Sequence, residues 1–172
     1  MKLKLIASLF FSFFCTVIFS QSDIDSTTII KIGDKLPSFT TASLAGTEFS
    51  SEALTGKVVL INFWATWCPP CKAEFPLLQK NIFDKIKDDS FSVLCISRGE
   101  KKEVVNKFIK QFGYTFPVYL DPEAKTYNLF ASKYIPRNFV IGKDGKVKWA
   151  STGFQLEEFN EMIRLIESEL KK

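Results

Sequence analysis

The run Val58-Val59-Leu60-Ile61-Asn62-Phe63-Trp64 constrains this chain more than any other stretch, because a segment with a single polar member has no polar face to offer water. Such a strand is covered on both sides, which places it inside a sheet flanked by helices. Directly after it come Trp67-Cys68-Pro69-Pro70-Cys71 and then Phe75, Leu78, Ile82, Phe83 and Ile86 at helical spacing. The spacing predicts a helix over residues 69–87, with a kink at Pro76. The two cysteines therefore stand where a central strand gives way to a helix, at the strand end where open α/β sheets carry their sites.

The same alternation continues downstream. Residues 91–97 read as a strand, 101–112 as a helix through Val104, Val105, Phe108, Ile109 and Phe112, 116–120 as a strand and 124–132 as a shorter helix. Residues 138–141 and 146–150 flank Lys143-Asp144-Gly145, and the Asp-Gly pair is a hairpin signal. A last helix aligns Leu156, Phe159, Ile163, Ile166 and Leu170. Upstream, residues 38–49 read as a short hairpin around Ala45-Gly46-Thr47, and residues 50–54 as one helical turn closed by Gly56. Strands and helices that alternate and end in a hairpin and a helix predict an α/β fold with a central mixed β-sheet flanked by helices on both faces.

The N-terminus has a different character. Met1-Lys2-Leu3-Lys4 precedes an uncharged apolar run from Leu5 to Phe19, 15 residues long, and Ser20-Gln21-Ser22 follows. A membrane span needs about 20 apolar residues, so the run reads as a secretory signal peptide cut after Ser20, an uncleaved anchor being the competing reading. Cys15 belongs to the discarded peptide, since the bulky Phe14 before it does not suit lipid attachment. We expect a signal peptide over residues 1–20, a polar lead-in over 21–35 and one domain over 36–172, exported to the periplasm. Cleavage removes two lysines and no acid, so the formal charge falls from +4 to +2. Interspersed charges of that size give no case for nucleic acid.

The mature chain keeps Cys68, Cys71 and Cys95 and has no histidine. Histidine-activated nucleophiles and imidazole metal sites are thereby excluded. An odd, small cysteine count in an exported chain argues for a functional pair rather than a disulfide scaffold. At the first turn of a helix Cys68 meets unpaired amides and the positive end of the dipole, which lowers its pKa. Proline is tolerated there, and Cys71 lies one turn on, within bridging distance. A disulfide closing so small a loop braces little, which favours redox exchange. A structural staple stays open, as does half a zinc site, although only Cys95, carboxylates or water remain to complete one. Cys95 sits within Val93-Leu94-Cys95-Ile96 and reads as a buried, inert thiol.

The segment from Asn62 through Trp67-Cys68-Pro69-Pro70-Cys71-Lys72-Ala73-Glu74-Phe75-Pro76 resembles the active-site segment of the exported thioredoxin-like reductases of the TlpA/ResA/CcmG group. The likeness extends more loosely from about Ile32 to Lys172. It implies a thioredoxin-like fold with an N-terminal hairpin and an extra strand and helix inserted between the cysteines and Ile135-Pro136. It also implies roles. Glu74, three residues after Cys71, is expected to tune the cysteines as an acid-base group, with helix-dipole stabilisation as the bland alternative. Asn62 departs from ordinary thioredoxins, which carry a buried aspartate there, and this shifts proton transfer toward Glu74. Ile135-Pro136 matches the cis-proline that faces the cysteines and leaves the preceding backbone free for a substrate strand. Trp67 is expected on the docking surface and Trp64 in the packing, whereas Arg98 and Arg137 are candidates to lie near the cysteines, with a solvated surface charge as the default for each.

The implied activity is protein-disulfide reduction without a cofactor or metal. Cys68 attacks a disulfide-containing client protein, Cys71 resolves the mixed disulfide, and a membrane-embedded thiol donor reduces the pair again. Two alternatives stand beside it. One is a peroxiredoxin-like peroxidase, whose threonine three residues before the cysteine is replaced here by Ala65. The other is a redox-inactive binding module on the same fold.

Overall fold

The computed structural model describes residues 26–172. The expected signal peptide and the first five residues of the lead-in lie outside the described residues. Strand β1 (Thr40–Ser43) and β2 (Glu48–Ser50) form the N-terminal hairpin, followed by a 3-10 turn at Ser51–Leu54. The central strand β3 (Val58–Trp64) is buried at every position, as its apolar run requires. Then come helix α1 (Pro69–Leu77), β4 (Phe91–Arg98), α2 (Lys102–Phe112), β5 (Val118–Asp121) and α3 (Tyr127–Phe130). Strands β6 (Arg137–Ile141) and β7 (Val147–Thr152) and helix α4 (Leu156–Leu170) complete the chain.

The seven strands form one mixed sheet in the order β2-β1-β5-β4-β3-β6-β7. Strands β3, β4 and β5 run parallel, while β1 pairs antiparallel with β5, and β6 with β3. This is the mixed, helix-flanked sheet that the sequence predicts. The core lies in two layers. Leu60, Trp64, Phe75, Leu78, Phe108 and Phe159 pack on the face covered by α1, α2 and α4, and Ile61, Phe63, Tyr127, Phe130 and Phe139 pack on the other.

Three boundaries differ from expectation. Helix α1 ends at Leu77 and passes into a π-helical turn, Leu78–Phe83, instead of running to residue 87. Pro76 has no amide to bond the carbonyl four residues back, and the wider turn takes up the irregularity, with the Asp84 amide donating to the Gln79 carbonyl at 2.8 Å. Helix α3 is only four residues long, because the Asp121 carboxylate accepts the amides of Thr126 and Tyr127 and Ala124 is left-handed (φ 55°), which delays its start. The lead-in, finally, is packed. Thr28 bridges Ala131, Lys35 bridges Lys146, and Ile30 is buried.

Candidate active site

Cys68 caps the start of α1 and is disulfide-bonded to Cys71. Its sulfur accepts the Cys71 amide at 3.3 Å, the contact by which a helix N-terminus stabilises a thiolate once the pair is reduced. The same sulfur lies 3.6 Å from the carbonyl oxygen of Ile135, and the Ile135-Pro136 bond is cis. Cys68 is only 2% exposed, so access to its sulfur is set by the segments around it. On one side stands Trp67, 61% exposed, and on the other the Ile135 loop with the exposed Tyr134.

The loop that carries Trp67 is held from behind. Glu100, buried at the end of β4, accepts the Thr66 amide at 2.7 Å, the Thr66 hydroxyl at 2.5 Å and the Ser97 hydroxyl at 3.0 Å. Beneath the cysteine pair lies a polar column inside an otherwise apolar layer. Glu74, 1% exposed, accepts from Asn62 Nδ2 at 3.0 Å and from Asn138 Nδ2 at 2.5 Å, and Asn62 also donates to Asn138 Oδ1 at 2.7 Å. Asn62 and Asn138 face each other across the β3–β6 pairing. Burial pushes the Glu74 carboxyl up to about 7, against the two amide donors that favour its ionised form. The Asn62 carbonyl oxygen is buried without a hydrogen-bond partner among the described residues, leaving an acceptor open beside this carboxyl.

Cys95 is a free, buried thiol opposite Asn62 in the β3–β4 pairing. Burial, with Glu74 adding to it, holds its pKa well above the ordinary thiol range, so it is not a nucleophile. Among the described residues no group of three or more histidine, cysteine or carboxylate side chains is placed to hold a metal.

The structure thus brings Cys68, Cys71, Glu74, Trp67, Ile135 and Pro136 to one end of the sheet. Trp64 is buried against Phe75 and Phe108. The two arginines depart from expectation. Arg98 lies over the Tyr127 ring, 4.2 Å from its centroid, and Arg137 is 1% exposed within β6. Asn138 and Glu100 were not singled out by sequence. A signal for Asn138 existed, since an amide inside a buried apolar strand demands a polar partner.

Residues 32–150 match the model of the AhpC/TSA family. The thiol-disulfide oxidoreductase ResA of Geobacillus thermodenitrificans is 34% identical over 131 residues, covering 76% of this chain and 75% of the relative. A Bacteroides thetaiotaomicron protein solved in solution superposes with a TM-score of 0.81 at 35% identity, over 85% of this chain and 94% of that one. A thiol:disulfide interchange protein of the thioredoxin family from Chlorobium tepidum gives 0.66 at 27% identity, over 81% and 98%. Taken with a cysteine pair at a helix start, these likenesses make the chain a member of the AhpC/TSA family and, within it, a thiol-disulfide oxidoreductase of the ResA type.

Proposed function

We propose that the protein reduces disulfides in client proteins outside the cytoplasm, with Glu74 as the group that moves the proton. The observation that carries this reading is a fully buried carboxyl, one turn beyond Cys71 in α1, whose pKa of about 7 lets it both take and return a proton near neutrality. In the reduced protein the Cys68 thiolate, favoured by the amides of the first helical turn, attacks one sulfur of the client disulfide. A Cys68–client bond forms and the other client sulfur leaves as a thiolate. Cys71 then gives its proton to the Glu74 carboxylate and attacks the Cys68 sulfur. The Cys68–Cys71 disulfide forms, the second client thiolate leaves, and Glu74 supplies a proton to it.

The Ile135 backbone pairs with the client strand and Trp67 covers its flank. Both border Cys68, and a backbone edge beside the sulfur suits an extended peptide. The oxidised pair is reduced again by a membrane-embedded thiol donor. The two N-terminal lysines and the uncharged apolar run from Leu5 to Phe19 support export to the periplasm.

The test combines trapping with potentiometry. In a Cys71→Ala variant the client stays bound to Cys68 and is released by reductant, whereas a Cys68→Ser variant captures nothing. The intact protein should have a potential near that of thioredoxin, about -270 mV, and a value near about -120 mV, typical of strong oxidants, would overturn the reducing direction.

A further inference from the structure

We propose that Arg137 is a positioning residue for the exchange reaction: its buried guanidinium ties the Lys133–Pro136 segment facing Cys68 to Thr27 and Thr28, and so fixes where an incoming peptide strand lies. This inference rests on the reading of Ile135 as the strand that receives the client. Arg137 is among the largest fully buried side chains of the molecule. Its Nε donates to the Lys133 carbonyl at 3.1 Å and one terminal nitrogen to the same oxygen at 2.7 Å. That same terminal nitrogen also donates to Thr27 Oγ1, and the other one donates to the Thr28 hydroxyl at 2.5 Å.

The segment that this fork holds stands between α3 and β6 with few backbone bonds of its own. Its other ties run to Thr27 and to Tyr127 of α3. The Ser132 amide donates to the Thr27 carbonyl at 2.9 Å, and the Tyr127 hydroxyl donates to the Tyr134 carbonyl at 2.7 Å. Tyr134 is left-handed (φ 66°), a conformation that costs a tyrosine energy and persists where the surroundings hold it. The very next residue, Ile135, puts its carbonyl 3.6 Å from the Cys68 sulfur. A planar fork that grips three partners at once holds such a segment in a way that a lysine cannot.

The position matters more than the strength of the bonds. A backbone that pairs with a substrate strand sets the line along which the client sulfur meets Cys68, and a misplacement of about 1 Å can cost on the order of a hundredfold in rate. A small disulfide that does not pair with the backbone is indifferent to this line.

The experiment compares full-length wild type with Arg137→Lys, the pair Thr27→Val with Thr28→Val, and Ile135→Gly. Each is assayed in reduced form against insulin and against dithiobis-nitrobenzoate, with the reduction potential and thermal midpoint measured in parallel. For Arg137→Lys, kcat/KM for insulin should fall about tenfold, mainly through KM, while the aromatic disulfide reacts within about twofold of wild type and the potential is unchanged. The threonine pair should show the same split, about threefold, and it decides the matter if Arg137→Lys does not fold. Parallel losses on both substrates, or no loss on either, would overturn the assignment. Ile135→Gly loosens the same backbone without touching the fork. If it separates the two substrates and the other variants do not, the docking reading stands and the role of Arg137 falls. If Ile135→Gly does not separate them, the docking reading itself fails.

Discussion

Arg137 and Asn138 are consecutive on β6, yet they serve opposite faces of the sheet. Alternation along the strand turns Asn138, with Val140, toward the layer under α1, where it grips Glu74. Arg137, with Phe139 and Ile141, turns toward the layer that the N-terminal segment covers, where it grips the loop facing Cys68. One face holds a group whose charge changes near neutral pH. The other holds a guanidinium that presents its donors in a fixed planar fork. Burial builds proton affinity on the first face, against two amide donors that hold the carboxyl in place, and a guanidinium with many donors builds geometry on the second. Proton handling and substrate placement therefore meet at the cysteine pair from separate sides, and adjacent residues can be altered with separable effects.

The largest expected effect comes from removing the titrating group. Glu74→Gln should slow insulin reduction about a hundredfold at pH 7, the usual worth of a positioned acid-base group, with the aromatic disulfide's first attack on Cys68 far less affected. Its stability has the opposite sign. The folded protein binds the Glu74 proton more tightly than the unfolded chain, so this proton stabilises the fold fully below about pH 4.5, and the contribution is lost as pH rises through about 7. Chemical denaturation should accordingly show the variant gaining about 3 kcal/mol on wild type between pH 4.5 and 8. Equal slopes of stability against pH would show that the carboxyl is not buried as described.

A smaller change on the same face sharpens the comparison. Asn138→Leu removes the stronger of the two amide donors to the carboxylate, so the Glu74 midpoint should move above about 7. The substrate split assigned to Arg137 should be absent in this variant, and its presence would merge the two faces into one device. Cys95→Ala is the smallest. It should leave both activities within about twofold and cost about 1 kcal/mol of stability, as for a buried thiol that packs and does not react.

The comparison also shows where sequence is informative. The central strand, the helix start at Cys68 and the placement of Glu74 three residues beyond Cys71 are local patterns, written in apolar runs and short spacings. Arg137 could not be read this way, because Thr28 and Thr27 lie 109 and 110 residues upstream and meet it only through tertiary packing. An arginine at the start of a strand, next to Asn138, looks like surface, and here it is core. Asn138 depends on the β3–β6 register, which no local pattern specifies. The packing of the lead-in is hidden for a related reason: Thr27 and Thr28 meet the segment ahead of β6 only in the folded chain, while Lys31, Asp34 and Lys35 stay exposed as polar residues are expected to. The shortened α1 traces to Pro76, whose kink was visible although the π-helical turn that absorbs it was not.

The central claim is that Glu74 moves the proton of Cys71 when the mixed disulfide is resolved. It is tested most directly by single-turnover resolution of a preformed Cys68–peptide disulfide, followed by rapid mixing from pH 5 to 9 in wild type and in Glu74→Gln. The account predicts a rate that rises through an inflection near pH 7 in wild type and loses that inflection in the variant. The same inflection in both proteins would contradict it.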